Sequence, residues 1–343
     1  MRRIQLFQKL ICSLGAAVLT IGLTFPASAQ SNELKISYQY GLGFFPVTVV
    51  IEQKLIEKHA KRLGIDDVKV SGVQISGAAT TNDALLSGSI QVASGGVGGL
   101  LQMWDRTKGR VRGLISLNDM SFLLNTNDPA VKTLEDYLKV ENHKIALPAV
   151  KVGAHAIVLS MAAEKAFGKD KFDVLDAKTI SLPHPDALAA LRGDRTEIKS
   201  HFASLPFSYL EKQVETPKIH TVLSSYDVLG GPHNNTLLYI DERWQEQNPK
   251  LAQAVFDAFV EAHEWINANQ KEAAQLFKTA TKSTLELADI EKILGDKNLI
   301  GYSPEPLATM PFAKFLHENG RIKTMPASWK DYFWPIAHGL KGS

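Results

Sequence analysis

The sequence predicts an α/β protein in which two similar lobes face each other across a ligand-binding cleft. The main observation is a helix–strand unit that occurs twice, once from Asp83 and once from Asp186. Each copy has a short apolar helix stopped by a glycine, Gly88 or Gly193, that can adopt positive φ, and then a strand that ends in Ala-Ser. Sheets of this class bind ligands beyond the carboxyl ends of their strands, so two such lobes would enclose a cleft. The two copies match loosely, and a chance similarity is the alternative.

The N-terminal segment, residues 1–29, is typical of a secretory signal peptide. It begins with basic residues, continues with an apolar run and ends at Ala27-Ser28-Ala29, a small-residue cleavage site. The apolar run is shorter than the roughly 20 residues that a membrane span needs, which argues against an anchor. Cys12 lies at the start of the run, whereas a lipidated cysteine would follow it. We therefore expect export, cleavage and a soluble mature chain.

Removal of this segment changes what the composition implies. It takes away three basic residues and no acidic ones, so Lys and Arg fall from 38 to 35 against 36 Asp and Glu, and the net charge changes from +2 to −1. The basicity of the full chain therefore gives no argument for nucleic-acid binding. Removal also takes away Cys12, the one cysteine, so we expect no disulfide, thiolate nucleophile or cysteine metal ligand. The remaining length is enough to bury a core without cross-links.

The first lobe is expected over residues 30–122 and to be completed by residues 225–343. Its sequence alternates between apolar strands and amphipathic helices. The expected strands cover 34–38, 68–75, 90–94, 111–117 and 121–125, and the expected helices cover 47–63, a segment from 80 or 81, and 97–109. Thr80 and Asp83 have the spacing of a capping box. The segment 118–120 is expected to be a turn that begins a crossover.

The second lobe is expected over residues 123–224 and to have the same plan. Its expected strands cover 144–147, 179–182 and 198–203, and its expected helices cover 152–167 and a segment from 185. Two further strands, over 219–224 and 236–240, are expected to return the chain to the first lobe. The rest is mostly helical and is expected to pack around the first lobe, with segments over 249–267, 271–279, 287–294 and 306–318.

Three loops of small residues lead into helix starts, at 76–81, 95–98 and 149–153. A helix N-terminus presents unpaired N–H groups and about half a positive charge, so it attracts anions without any arginine. The loop residues that we expect to contact a small anion are Ser76, Gly77, Ala78, Gly96, Val97, Lys151 and Val152. The alternative is that the glycines and alanines only make tight turns. The glycines at 95–99 are not a P-loop, because no Gly-Lys-Ser/Thr follows.

Aromatic and polar side chains lie near the same loops. The aromatic residues that could wall a pocket around an organic body are Tyr38, Tyr40, Phe44, Phe45, Phe202 and Phe207. Burial in the core is the alternative for Phe44, Phe45 and Phe207. His155, at a helix start, could donate to an anion or lie on an inward helix face, and Lys151 could be solvated instead. Asn235, after Gly230-Gly231-Pro232, could donate near a hinge or simply make the turn.

Recognisable catalytic signatures are missing from the sequence. The ten histidines are scattered, with no His-x-x-x-His pair, so a zinc site is not expected. There is no Gly-x-Ser-x-Gly elbow, and no strand is followed by Gly-x-Gly-x-x-Gly. We therefore expect no metal, no cofactor and no catalytic residue. An unfamiliar hydrolase is the alternative.

Four segments have the features of one known family: Ile36–Gly41, Ser76–Ile90, the alanine-rich helix Val255–Asn269, and the ending Phe315–Gly320 followed by Trp329–Phe333. They resemble the periplasmic substrate-binding proteins of ABC importers, in the nitrate, sulfonate and taurine group. The resemblance extends over the mature chain. It implies a type II-like periplasmic binding protein fold, with two Rossmann-like lobes joined by two crossing strands. It also implies hinge closure on a ligand that an inner-membrane permease then receives.

The resemblance implies that ligand contacts fall on Gln39, Tyr40, Ser76, Gly77, Gly96, Val97, Lys151, Val152, Phe202 and Asn235. The candidate ligand-binding residues are completed by Phe44, Ala78, Asn118 and His155. Relatives often have Trp-Asp-Pro or Trp-Ala-Pro after the second repeat, whereas this chain has His-Phe-Ala-Ser-Leu-Pro at 201–206. The indole wall and its acidic neighbour are absent, which puts taurine in doubt. The cysteine-rich stretch of pyrimidine-synthesising relatives is absent as well.

Together these observations predict a periplasmic solute-binding protein, and not an enzyme, that captures a small organic anion. The ligand would be a sulfonate or a similar carboxylate, with nitrate, an aromatic acid or a pyrimidine precursor as alternatives. We expect a monomer that delivers its ligand to a membrane permease and binds no nucleic acid. The alternatives are a secreted two-lobe enzyme of unrecognised chemistry and a binding protein that signals to a membrane sensor.

Overall fold

A computed structural model describes residues 33–193 and 197–343 of the chain. The expected signal peptide, residues 1–29, lies outside the described residues. From residue 33 onward the chain forms one unit by its internal contacts. Among the described helices, none is both long and apolar enough to cross a membrane.

The strands of this unit form two separate sheets. In chain order they are β1 (Glu33–Tyr38), β2 (Lys69–Gln74), β3 (Val92–Gly95), β4 (Val111–Met120), β5 (Leu123–Thr126), β6 (Lys144–Leu147), β7 (Thr179–Ser181), β8 (Ile198–Ala203), β9 (His220–Ser224), β10 (Asn234–Asp241) and β11 (Ile300–Gly301). The first sheet has the order β11-β4-β10-β3-β1-β2, and the second has the order β7-β6-β8-β5-β9.

Helices connect the strands and cover both sheets. In chain order they are α1 (Phe45–Glu52), α2 (Leu55–Arg62), α3 (Ala78–Leu86), α4 (Val97–Arg106), α5 (Ala154–Phe167), α6 (His184–Leu191), α7 (Phe207–Lys212), α8 (Ser225–Leu229), α9 (Glu242–Gln247), α10 (Pro249–Ala268), α11 (Gln270–Thr281), α12 (Leu287–Gly295) and α13 (Met310–Glu318). The repeated sequence unit corresponds to α3 followed by β3 and to α6 followed by β8.

The two sheets have the same plan. In the first, β1 is parallel to β2 and β3, and β10 is antiparallel to β3 and β4. In the second, β6 is parallel to β7 and β8, and β5 is antiparallel to β8 and β9. Strands β2-β1-β3-β10-β4 therefore correspond to β7-β6-β8-β5-β9. The predicted two-lobe, type II-like α/β fold is confirmed, whereas the exact lobe boundaries stay a prediction.

The chain passes between the sheets twice, and the two passages are bonded to each other. The first passage joins β4 to β5, and the second leads from β9 through α8 to β10. The backbone N–H of Phe122 donates to Ser225 Oγ at 2.8 Å, and the backbone N–H of Ser225 donates to the Phe122 carbonyl at 2.9 Å. Strand β9 is an edge strand of the second sheet, within the range expected for the second lobe, and β10 is the strand of the two that lies in the first sheet.

Three local expectations differ from the structure. The helix expected over 47–63 is split into α1 and α2, because Lys54 adopts a left-handed conformation with φ of 51°. Helix α3 begins earlier than expected, at Ala78, and its N-cap is Gly77, so the capping box at Thr80 does not form. The expected turn at 118–120 is instead the end of β4, where Asn234 and Thr236 pair with it.

Apolar clusters hold the carboxy-terminal helices against the first sheet and its connections. Helix α10 packs on α1 and α2, and α13 packs on α4. Phe45 makes an edge contact with Phe277 of α11, with ring centroids 5.4 Å apart. Phe45 is therefore a core residue and not a wall of the cleft. Burying a side chain of this size contributes about 1.5–3 kcal/mol to stability.

Candidate functional site

A small pocket lies where the carboxyl ends of the parallel strands of both sheets meet. Its cavity volume is about 60 Å³. The first sheet contributes the segments that follow β1, β2 and β3, and the second contributes those that follow β6, β7 and β8. The lining residues are Gln39, Tyr40, Gly43, Phe44, Gly77, Ala78, Gly95, Gly96, Met120, Pro148, Ala149, Gly153, Ala154, His155, His184, Ser204, Asn235 and Thr236.

Four helices begin at this pocket, namely α3, α4, α5 and α6. Their N-cap residues are Gly77, Gly96, Gly153 and Pro183. Glycine and proline have no side-chain acceptor, so no side chain caps the first-turn N–H groups of these helices. The N-terminal N–H groups of a helix have no partner within it, and its macrodipole places a partial positive charge there. The four helix starts therefore give the pocket a positive potential and a set of backbone donors.

No lining residue of this pocket is a lysine, arginine, aspartate or glutamate. The two lining histidines are neutral at physiological pH. Burial lowers the pKa of His155 to about 3, with smaller contributions from the charges of His201 and His233. Burial also lowers the pKa of His184 well below its usual range. The helix starts are thus the main source of positive potential among these groups.

The glycines at the start of α4 allow α4 and α5 to cross closely. A Cβ added to Gly96 would lie 2.8 Å from the Cβ of Ala154, and one added to Gly98 would lie 1.9 Å from Ile157 Cδ1. Both distances are shorter than normal van der Waals contact. Absence of side chains at these positions lets two helix N-termini from opposite sheets approach one pocket.

A buried chain of polar side chains ends at the pocket. His184 Nδ1 lies 2.7 Å from His201 Nε2, and His201 Nδ1 is hydrogen-bonded to Glu211 Oε1. Asn125 Nδ2 donates to Glu211 Oε2 at 2.7 Å, and the Thr221 hydroxyl donates to Asn125 Oδ1 at 2.8 Å. His201 and Glu211 are both 0% exposed. The sequence analysis missed His184, His201 and Glu211, because they come from α6, β8 and α7 with no shared motif.

His155 lies between the pocket and the apolar interior. Its Nε2 is 2.8 Å from Ser204 Oγ, and its ring stacks on Phe122 with centroids 4.0 Å apart. Phe202 is fully buried and contacts the edges of both rings. His155 therefore faces the pocket, whereas Phe202 supports it from behind.

The structure brings many of the candidate ligand-binding residues to this pocket. Those that line it are Gln39, Tyr40, Phe44, Gly77, Ala78, Gly96, His155 and Asn235. Ser76 lines a smaller adjoining cavity, together with Gln39 and His184. A groove of about 370 Å³ also shares Gln39, Tyr40 and Phe44 with the pocket. Tyr40, which is 47% exposed, therefore borders all three spaces.

The other candidates lie elsewhere. Val97 and Asn118 are buried, and the Asn118 amide donates to the Gly43 carbonyl at 2.6 Å, so it holds the wall of the pocket from behind. Lys151 and Val152 line a separate surface pocket with Arg321. The loop before α5 turns at Lys151, which has φ of 65°, and Lys151 lines this surface pocket and not the pocket at Gly153.

Several solved structures share this fold. The nitrate-binding protein NrtA from Synechocystis PCC 6803 is 20% identical, with a TM-score of 0.65 over 90% of this chain and 86% of that one. The sulfonate-binding protein SsuA from Escherichia coli is 17% identical, with a TM-score of 0.61 over 88% and 92%. The alkanesulfonate-binding protein SsuA from Xanthomonas axonopodis pv. citri, bound to MOPS, is 15% identical, with a TM-score of 0.63 over 91% and 99%.

At these identities the likeness establishes the fold, and it confirms the expected resemblance to nitrate- and sulfonate-binding proteins at that level. No curated protein matches the chain in sequence. The sequence profile of the NMT1-like family matches residues 27–280, which is most of the chain. This protein therefore belongs to the NMT1-like family.

Proposed function

We propose that this protein is the periplasmic solute-binding component of an ABC uptake system, which captures a small organic anion and delivers it to an inner-membrane permease. The observation that carries the proposal is the convergence of four helix N-termini, without side-chain caps, on one pocket lined by no charged side chain. Backbone N–H groups and helix dipoles bind anions and do not favour cations. Two solved proteins of this fold are named as a nitrate-binding and an alkanesulfonate-binding protein, which supports an anionic ligand here as well.

Ligand binding is expected to stabilise contacts between the two sheets. The Leu42 N–H donates to the Leu205 carbonyl at 3.1 Å, and α4 meets α5 at Gly96 and Ala154. Each contact joins a connection of the first sheet to one of the second. A ligand held by both sides favours this closed arrangement by the difference between its affinities for the closed and open forms.

The pocket and its groove favour an anion with an organic body. A cavity of about 60 Å³ has room for a small anionic head group, and the adjoining groove of about 370 Å³ has room for the rest of the molecule. Tyr40 and Phe44 border both spaces and supply apolar contact. No carboxylate lines the pocket itself, whereas Glu52 lines the adjoining groove, so an ammonium group such as that of taurine would find a carboxylate only in the groove.

A thermal-shift screen of the mature protein tests this proposal. The panel contains alkyl and aromatic sulfonates, taurine, nitrate, aromatic acids, pyrimidine precursors and their neutral amide analogues. A ligand that binds only the native state raises the free energy of unfolding by about 2.7 kcal/mol at a hundredfold excess over its Kd. We expect sulfonates or carboxylates to raise the melting temperature. We also expect isothermal titration calorimetry to show one binding site per chain. A panel in which only neutral or cationic compounds do so would overturn the proposal.

A secreted enzyme is the second candidate, favoured by one observation. Ser204 Oγ lies 2.8 Å from His155 Nε2, as a nucleophile and its base would. Against it, burial lowers the pKa of His155 to about 3, whereas an efficient general base has a pKa near the working pH. Recovery of every bound compound unchanged after long incubation would support transport. Turnover that disappears in Ser204→Ala would establish the enzyme instead.

A further inference from the structure

We propose that one proton shared by Glu211 and His201 makes His184 a hydrogen-bond donor into the pocket, and that loss of this proton turns His184 into an acceptor that rejects anions. The three residues would then act as a specificity-determining relay from the interior to the ligand. The identity of the ligand as an anion rests on the proposed function. The protonation argument itself rests on the hydrogen bonds within the chain and on the burial of these three residues.

The hydrogen bonds leave few choices for the protons. The His184 Nδ1 to His201 Nε2 contact, at 2.7 Å, joins two ring nitrogens, so one must carry a hydrogen and the other must not. Because burial lowers the pKa of His184 well below its usual range, its ring is neutral and carries one hydrogen. The state of His201 Nε2 therefore decides whether that hydrogen is on Nδ1 or on Nε2 of His184.

Suppose that Glu211 and His201 hold one extra proton between them. If it is on His201, the ring is an imidazolium, and its Nε2–H donates to His184. If it is on Glu211, the carboxyl O–H donates to His201 Nδ1, and the neutral ring again has its hydrogen on Nε2. Both forms give the same result: His184 accepts at Nδ1 and has its own hydrogen on Nε2, its other ring nitrogen. His184 lines the pocket, so Nε2–H is the donor it can offer there.

Without that proton the result is reversed. Glu211 is then a carboxylate that accepts from His201 Nδ1–H, and His201 Nε2 is bare. His184 must donate from Nδ1, and its Nε2 becomes an acceptor. A lone pair of this kind disfavours an anion and favours a ligand that donates a hydrogen bond. The switch moves hydrogens only, and no heavy atom has to move.

Burial makes an uncompensated charge on either member of the pair costly. Glu211 and His201 are 0% exposed, and an isolated carboxylate in such a place is costly unless a cation or a proton neutralises it. The titratable groups that face His201 are Glu211 from α7, His184 from α6 and His155 from α5. The neighbouring strands β5 and β6 place Asn125 and Ala146 opposite His201, and neither side chain titrates.

Nitrogen NMR of the mature protein tests the relay without any ligand. In protein labelled with ¹⁵N in histidine, the long-range ¹H–¹⁵N pattern shows which ring nitrogen carries the hydrogen. At neutral pH we expect His184 to have its hydrogen on Nε2 and a bare Nδ1, with His184→Gln providing the assignment. The opposite tautomer at neutral pH would overturn the proposal.

Binding of ethanesulfonate against pH gives the functional test, because a sulfonate stays ionised throughout the range. We expect wild-type affinity to fall by about ten- to hundredfold once the pair loses its proton, the usual cost of one hydrogen bond to a charged group. His184→Phe, which cannot donate, should already bind ethanesulfonate about as weakly at neutral pH as wild type does after the pair has lost its proton. A wild-type profile that stays flat while NMR shows the tautomer change would also refute the role in specificity.

Glu211→Gln gives a sharper variant. Because Asn125 Nδ2 donates to the Oε2 position, the glutamine oxygen takes that place and its amide N–H donates to His201 Nδ1. His184 is then locked as a donor with no proton to lose. At alkaline pH this variant should bind ethanesulfonate about ten- to hundredfold more tightly than wild type. Glu215→Gln, at an exposed position, is the matched control and should keep the wild-type profile.

Circular dichroism and the ¹⁵N spectrum of each variant establish that it folds, and the NMR result for wild type stands even if one variant does not. The two hypotheses fail in different ways. If ethanesulfonate and the other anions do not bind but His184 has its hydrogen on Nε2, the transport ligand is wrong and the relay stands. If anions bind and the tautomer is reversed, the proposed function stands and the relay is wrong.

Discussion

His263 makes the stability of this protein sensitive to acid. It lies in α10 at 2% exposure, and its Nε2 donates to the Leu117 carbonyl at 3.0 Å. Its other ring nitrogen has no hydrogen-bond partner among the described residues. Burial lowers the pKa of His263 to about 4, although the bond to Leu117 acts in the opposite direction.

The sign of the effect follows from proton binding. In the unfolded chain a histidine takes up its proton near pH 6.5, whereas in the folded chain His263 stays neutral until about pH 4. Between these values the unfolded state binds more protons, so the free energy of unfolding falls as the pH falls. Each pH unit in this window costs about 1.4 kcal/mol per histidine, so the full shift of His263 is worth about 3 kcal/mol.

Urea unfolding at about pH 7.5 and about pH 5, followed by circular dichroism, measures this contribution in His263→Gln. Glutamine keeps an N–H that can donate to Leu117 but does not titrate. From the higher to the lower pH, wild type should lose about 2 kcal/mol more than the variant. His317→Gln, an exposed histidine, is the control and should lose as much as wild type. An equal loss in wild type and His263→Gln would refute the reasoning, whatever the stability of the variant at neutral pH.

Three other outcomes follow from the packing and from the position of the site. Gly98→Ala should destabilise the protein by about 1–3 kcal/mol in urea unfolding, since its Cβ would overlap Ile157, and Ile157→Val in the same chain should restore part of the loss. Lys151→Gln should change the affinity for ethanesulfonate by less than about twofold relative to wild type, measured by calorimetry, because Lys151 lines a different pocket. A tenfold loss of affinity would place Lys151 in the site. Phe45→Ala should lower the free energy of unfolding by about 3–5 kcal/mol, because it removes the contact with Phe277. A loss below about 1 kcal/mol would show that this part of the core is not tightly packed.

The class of fold and the position of the candidate pocket were accessible from local sequence. The helix–strand repeats from Asp83 and Asp186 are visible as apolar periodicity that ends at a glycine. This pattern depends only on residues close together along the chain. The loops before α3, α4 and α5 contain the small residues that a close approach requires. Because both sheets share one plan, loops at equivalent places meet at the same cleft, and most of the candidates there do line one pocket.

Local errors came from interactions that the same periodicity cannot show. An apolar pattern over 47–63 is equally consistent with one helix or two, and the break depends on the left-handed conformation of Lys54. Strand β9 was expected to help return the chain to the first lobe, although nothing in its own residues shows which sheet it joins. The choice is made by its pairing with β5, far away in the chain.

The sequence by itself determined that two α/β halves present small-residue loops and helix starts to a common cleft, because these features depend on residues close together in the chain. Only the tertiary structure decided what those halves place behind the cleft. Glu211, His201 and His184 belong to three different elements, and their hydrogen bonds exist only once β8 is paired and α6 and α7 are packed on it. Burial of these side chains removes water from around them, so an unpaired charge in this place would be costly and the hydrogen bonds among the three residues satisfy their polar groups instead.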